Sequence, residues 1–199
     1  MSTSAETSPA LGRVGKREET AHRIMVAAQR LAVENGLDGF TMDDLAAAAG
    51  VSRRTLFNYF PSKVDACIGP PLCLPEEGVA AFEAGGPTGN LGADLEHLAR
   101  EVLRHEQPTR EEMVLHRQLF QIPRLVEAVH ARFAELAVEL QEAVRARGGQ
   151  ALDQETALLV IRLLVVVFDS AIDASIAGDD TPLPDLFSRH LGTLRTLLA

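Results

Sequence analysis

The chain is poor in the features that announce catalysis, export or a membrane. It holds two cysteines, Cys67 and Cys73, in 199 residues. That is too few for a disulfide framework, and the five residues between them match no common zinc spacing. They read as buried or half-buried thiols. No stretch reaches the run of about 18 apolar residues that a membrane span needs. The nearest, Ala157 to Phe168, is interrupted by Arg162 and ended by Asp169. The first residues are polar and lack the apolar centre of a secretion signal, so a cytoplasmic location is the expectation. Strand patterns are scarce: Leu163 to Phe168 could pass for one, but it lies inside a longer apolar helical run. There is no nucleophile beside a base, no glycine loop to cradle phosphate and no metal-ligand set. An enzyme is therefore not expected, and neither a cofactor nor a metal is implied.

What the sequence does have is 46% hydrophobic residues, enough for a sizeable core, and a net charge of −9. The charge is unevenly placed. Residues 1–65 hold eight Lys/Arg (Arg13, Lys16, Arg17, Arg23, Arg30, Arg53, Arg54 and Lys63) and eight Asp/Glu, whereas residues 66–199 hold eleven against twenty. A neutral first third can still attract phosphates if its cations share a face.

Periodicity gives an all-α chain of about nine helices. Residues 1–15, rich in Ser, Thr, Ala and Gly, read as a disordered tail. A first helix is expected from about Arg17 to Asn35, with Ala21, Ile24, Met25, Ala28, Leu31 and Ala32 on its apolar face and Gly36 as its stop. Thr41 followed by Asp44 resembles a capping box and opens a second helix, ended by Gly50. Ser52 caps a third, which runs to about Tyr59 with Leu56 and Phe60 inward; Pro61 ends it and Ser62 caps the next. Pro70, Pro71 and Pro75 break that next element, leaving a second piece near Glu76 to Ala84. Further helices are expected over Asn90 to His105 (Leu91, Leu95, Leu98 and Val102 inside), from Thr109, from Pro123 to Arg147, from Asp153 to Ala177 and from Leu183 to Leu198. The last carries Leu183, Leu186, Phe187, Leu191, Leu194 and Leu198 on one face.

The informative stretch is Phe40 to Lys63. Two short helices meet at Ala49-Gly50-Val51, where glycine permits the sharp turn and Val51 fills the gap between them. This is the requirement of a helix-turn-helix. The second helix would expose Arg53, Arg54, Thr55 and Asn58. Arginine can grip guanine with two hydrogen bonds, asparagine can do the same with adenine, and threonine can touch a thymine methyl. Thr41 and Ser52 stand at helix N-termini, which suit phosphate oxygens. Tyr59 and Lys63 flank the recognition helix. Phe57 is expected in the core or as an apolar contact in the groove.

Phe40-Thr41, Leu45-Ala46, Ala49-Gly50-Val51-Ser52, Thr55-Leu56-Phe57, Tyr59-Phe60 and Ser62-Lys63, behind the leading helix and Gly36, resemble the DNA-binding domain of the TetR family of bacterial regulators. The resemblance covers about Glu18 to Lys63. It implies a three-helix helix-turn-helix domain over 16–65 followed by a helical effector-binding and dimerisation domain over 66–199. It implies phosphate contacts from Thr41, Ser52, Tyr59 and Lys63, and base contacts from Arg53, Arg54, Thr55 and Asn58. It further implies a homodimer through the last two helices (about Asp153–Ala177 and Leu183–Leu198), a palindromic operator in double-stranded DNA, and repression relieved by a small-molecule effector. Two departures stand out. Arg54 falls where many members carry a small residue, and the Pro70, Pro71 and Pro75 cluster interrupts the helix that follows the domain.

Other readings attach to the same residues. Phe40–Lys63 could be a helical hairpin with no DNA role, although its exposed Arg-Arg-Thr and Asn face would then serve nothing. Arg54 could be a solvated charge. His97, His105, His116 and His130 make no pair at i, i+4 and read as surface or pocket residues. The apolar run Ala157–Phe168 needs cover on both sides, from its own domain and from a partner helix. Ala171, Ala174 and Ala177 would allow a close approach, and Asp169 and Asp173 could line a pocket or pair across an interface. An effector pocket is expected among the helices between Ile68 and Asp173, lined mostly by Leu, Val, Ala and Phe.

Overall fold

The computed structural model describes residues 11–71, 74–104, 108–148 and 153–198. Among these residues the chain is all helix: α1 Leu11–Asn35, α2 Met42–Ala48, α3 Arg53–Tyr59, α4 Lys63–Ile68, α5 Glu76–Glu83, α6 Leu91–Arg104, α7 Arg110–Leu119, α8 Pro123–Ala146, α9 Gln154–Ile176 and α10 Leu183–Leu198. There are ten helices rather than about nine, because the proline-broken element forms two separate ones, α4 and α5. Most of the expected tail, together with Cys73 and His105, lies outside the described residues. The first helix starts at Leu11, earlier than its apolar stripe indicates. Once a turn is nucleated, each added residue gains a hydrogen bond without a new nucleation cost.

The caps written in the sequence form as hydrogen bonds. Thr41 Oγ1 accepts from the Asp44 amide at 3.2 Å while Asp44 Oδ2 accepts from the Thr41 amide at 2.8 Å. Ser52 accepts from the Thr55 amide at 3.0 Å, Ser62 from the Asp65 amide at 3.2 Å and Asp153 from the Thr156 amide at 2.7 Å. Thr109 and Glu112 close a second reciprocal pair at the start of α7. Gly36 and Gly50 sit at φ 73° and 63°, the left-handed region that lets each helix end in a tight reversal.

The described chain divides into two compact units. The first holds the chain up to Pro70 together with Leu115–Ala128, and the second holds Pro71–Val114 and the chain from Val129 onward. In the first, Ile24, Ala28 and Ala32 of α1 pack with Leu37, Phe40, Leu45, Ala49, Leu56 and Phe60, and Leu119 and Leu125 join the same core. Leu45 and Leu56 expose no surface, so truncating either to alanine would cost about 2–5 kcal/mol. Gln29 is buried here and is satisfied by donating to the Cys67 carbonyl at 3.0 Å.

The second unit has two apolar clusters. One gathers Phe82, Leu98, Leu140, Val144, Ala157 and Ile161; the other gathers Val167, Ala171, Ile172, Leu183, Leu186, Phe187 and Leu191. Three expected core positions are outside it. Val102 is only half-buried and belongs to neither cluster, the core place being taken by Leu103. Leu91 is exposed at the first turn of α6 and Leu198 at the last turn of α10, since a stripe that runs to a helix end outlasts the partner it packs on.

Candidate nucleic-acid interface

The helix-turn-helix is set by local chemistry. After Ala49 closes α2, Gly50 turns the chain and the Val51 amide donates to the Ala46 carbonyl at 3.0 Å. Val51 then packs part-buried against the first unit's core, as its place between two helices demands. Arg23 of α1 donates from Nε to the Ala49 carbonyl at 3.1 Å, which satisfies a carbonyl at the end of α2 and ties α1 to the turn. Leu56 turns inward, and the opposite side of α3 is thereby left to solvent.

That outer side carries Arg53, Arg54, Phe57 and Asn58, all exposed. Arg54 and Asn58 have no protein partner among the described residues, so their hydrogen-bonding groups are available. Phe57 keeps 43% of its surface exposed, which removes it from the core and leaves it as an apolar group on the face. Thr55 is half-buried, and its hydroxyl sits 2.7 Å from that of Ser52. The two form one polar unit at the mouth of α3.

The expected phosphate ligands are engaged to different degrees. Thr41 is exposed, but both its amide and its hydroxyl donate to Asp44, at 2.8 and 2.7 Å. Those hydrogen bonds, the hydroxyl's first, hold the Asp44 carboxyl below the usual carboxylate range. Tyr59 is half-buried, with the Arg17 guanidinium 5.9 Å from its ring centroid, so a second cation stands beside it. Lys63 is turned toward the protein. Its ammonium donates to the Leu37 carbonyl, donates to the Phe40 carbonyl at 2.7 Å, and lies 4.9 Å from the Phe40 ring centroid. An ammonium has three N–H groups, so one is left for an outside acceptor.

Sequence reasoning did not single out Asp43. Its carboxylate accepts from Arg53 Nη1 at 3.1 Å, which puts a negative group on the surface that carries the arginines. The signal available was its place in the first turn of α2, ten residues before Arg53, but only the angle between the two helices brings them together. The approach of Arg17 to Tyr59 likewise depends on how α1 and α3 pack, which a local sequence pattern does not carry.

Elsewhere, the second unit holds an open groove of about 340 Å³ beside α5 and α8. Leu74, Val79 and Ala143 line it, as an apolar pocket would require, but Glu76, Glu83, Glu139 and Glu142 line it as well. The expected lining lacked this acidity. Among the described residues no helix is long and apolar enough to cross a membrane, and no group of three His, Cys, Asp or Glu could hold a metal ion.

Comparison with known proteins points to the same residues. The model of bacterial regulatory proteins of the tetR family matches residues 24–65. A proposed mycofactocin biosynthesis transcriptional regulator of Mycobacterium tuberculosis, MftR, is 45% identical over 56 residues, which is 28% of this chain and 28% of the relative. The match therefore spans just over a quarter of that protein. Two solved structures overlay loosely. FadR of Thermus thermophilus, a TetR family repressor crystallised with lauroyl-CoA, is 23% identical with a TM-score of 0.43 over 87% of this chain and 92% of its own. NalD, the secondary repressor of the MexAB-OprM multidrug efflux pump in Pseudomonas aeruginosa, is 18% identical with a TM-score of 0.44 over 89% and 96%. Overlays this loose carry no argument about the second unit. Residues 24–65 therefore match the helix-turn-helix segment of the tetR family of bacterial regulatory proteins.

Proposed function

We propose that the protein is a transcriptional repressor, not an enzyme, which binds a palindromic operator as a homodimer and is released by a small-molecule effector. The observation that carries the reading is the outer side of α3. Arg53, Arg54, Phe57 and Asn58 stand exposed on a short helix whose opposite side is locked into the core through Leu56. Arg53, Arg54, Thr55 and Asn58 would read base edges in the major groove, Phe57 would make apolar contact there, and Thr41, Ser52, Tyr59 and Lys63 would hold phosphates. The domain boundary near residue 65 belongs to the same reading.

A dimer fits the outer side of α9. Leu159, Leu163 and Val166, at i, i+4 and i+7, are exposed to 65, 41 and 64%. A two-fold pair would set its recognition helices in successive major grooves about 34 Å apart, which is why the operator should be a palindrome. The effector part of the reading rests on the resemblance of residues 24–65 to the tetR family, and the open, glutamate-lined groove beside α5 and α8 is the place to look for such a ligand. An effector that binds one state of the dimer better would shift DNA affinity by that difference.

The test is selection of duplexes from random sequence with the purified protein, followed by titration of the recovered site. A palindromic site bound more weakly by Arg53→Ala and Tyr59→Phe, with both variants folded, is the expected result. No enrichment of any sequence at low salt would overturn the reading. A reporter with the site placed over its promoter should be silenced; activation would overturn the repressor assignment.

A further inference from the structure

The pair between Asp43 and Arg53 is placed where a DNA-binding surface would ordinarily avoid a carboxylate. Arg53 Nη1 donates to Asp43 Oδ2 at 3.1 Å, and the guanidinium lies 5.6 Å from the Phe57 ring centroid. The two side chains are 66 and 63% exposed. An ion pair this wet adds little to folding, so stability does not account for it.

Its consequence lies in what approaches the surface. Non-specific attraction to a duplex comes from cations that replace the counterions of phosphates. With Asp43 attached, Arg53 offers a random duplex almost no net charge, and any phosphate drawn to it also meets the carboxylate. A guanine edge is different. It presents two acceptors without a full charge, and an arginine has five N–H donors. Held through Nη1, the guanidinium keeps its other donors for such an edge, with Asp43 at one nitrogen and the Phe57 ring beside its central carbon. The carboxylate thus discourages the wrong contact while it orients the right one, the two components of discrimination.

We infer that Asp43 is a specificity-determining positioning residue: through Arg53 it weakens binding to random duplex and aligns the guanidinium for a base edge. The inference rests on the DNA-binding function proposed above.

The experiment compares the wild-type chain, Asp43→Asn and Asp43→Glu, each with Arg53 intact and with Arg53→Ala. The probes are the duplex selected by the wild-type chain and a random duplex of equal length, each titrated across a range of salt. With Arg53 intact, Asp43→Asn should bind random duplex about tenfold tighter and with a salt slope steeper by about one phosphate contact, so that the preference for the selected site falls. Asp43→Glu should retain much of the preference. With Arg53→Ala, the Asp43 substitution should leave the preference unchanged. A preference unaffected by Asp43→Asn overturns the inference. So does an equal effect in both Arg53 backgrounds, which would mean that only the net charge of the surface matters. Wild-type protein that binds no DNA at all would sink the underlying function instead, an outcome distinct from either.

Discussion

Arg147 donates from Nη2 to Asp94 Oδ2 at 2.6 Å, where the two side chains keep only 9 and 0% of their surface. The same guanidinium donates to the Phe82 and Gly85 carbonyls at 3.1 and 3.2 Å and lies 4.9 Å from the Phe82 ring centroid. The other Asp94 oxygen accepts from the amide and the hydroxyl of Thr88, each at 2.7 Å. One ion pair therefore fastens the α5–α6 loop to the residue that follows α8.

Breaking this pair should be far more damaging than breaking a surface one, because it strands a buried guanidinium. Asp94→Ala is expected to lower the thermal midpoint by about 10 °C, as followed by circular dichroism. Arg147→Lys should not restore it, since one ammonium cannot reproduce the planar fork that reaches three acceptors. A midpoint within about 2 °C of wild type would show that water replaces the partner.

Acid should weaken the fold through a small set of aspartates. Hydrogen bonds from the Thr181 side chain, then from Arg189, hold Asp179 down to about 2. Burial would raise Asp94, but the hydrogen bonds from Thr88 and Arg147 outweigh it and the carboxyl ends up lowered. Asp153 is lowered by its cap to Thr156. A carboxyl lowered in the folded state contributes stability that is fully present above its unfolded value, about 3.9, and is lost as pH falls through the folded value. Denaturant midpoints should therefore be flat with respect to these groups near neutrality and fall between about pH 4 and pH 2. Asp179→Asn should flatten part of that fall; an unchanged acid limb would contradict the assignment.

The elements most legible in the sequence are those whose cause is local. Thr41, Ser52, Ser62 and Asp153 announce helix starts because a cap needs only the next three residues, and all four make the expected hydrogen bond. The turn at Gly50 and the inward Leu56 follow from a short pattern too. What was not legible depends on distant partners. Asp94 sits among apolar positions of α6 and reads as surface until Arg147, 53 residues later, is known to meet it. Leu119 and Leu125 join the core of the first unit, although nothing near them in sequence distinguishes them from other leucines of the bundle. The inward turn of Lys63 likewise depends on the Leu37 and Phe40 carbonyls, which a helix-turn-helix pattern does not place.

Lys63 and Arg54 should separate under mutation. Lys63→Met removes the ammonium that ties the α1–α2 connection to α4, so both DNA binding and the thermal midpoint should fall, the latter by several degrees. Arg54→Ala removes an exposed group with no protein partner among the described residues. Its midpoint should stay within about 1 °C, while affinity for the selected site falls about 5- to 150-fold, the range for one lost base contact. Fluorescence anisotropy and melting curves on both variants decide this. A Lys63→Met protein of unchanged stability would mean that the ammonium is free to serve DNA alone.

Cys67 should be inert. Its thiol is buried, donates to the Ala28 carbonyl at 3.5 Å, and is pushed up to about 12 by that burial. The thiolate is the reactive form, and at neutral pH almost none is present. In a Cys73→Ser background the native protein should resist a thiol-specific reagent and react fully only in denaturant. Rapid labelling under native conditions would show that α4 opens readily from α1.

The exposed stripe on α9 yields the prediction that reaches furthest. Leu159, Leu163 and Val166 present three large apolar side chains along two turns, while Ile161, Val167 and Ala171 fill the core on the other side. A helix apolar on both sides is stable in water only if both are covered, and a second copy related by a two-fold axis would bring the same stripe against itself. Leu163→Glu with Val166→Glu would set four carboxylates against one another in such a pair. The substituted chain should remain helical, because neither residue belongs to the core, and should sediment as a monomer where the wild-type chain sediments as a dimer. Its affinity for a palindromic site should fall to that of a half-site. A wild-type chain that is monomeric at micromolar concentration would leave the stripe uncovered and remove the physical reason for a palindrome.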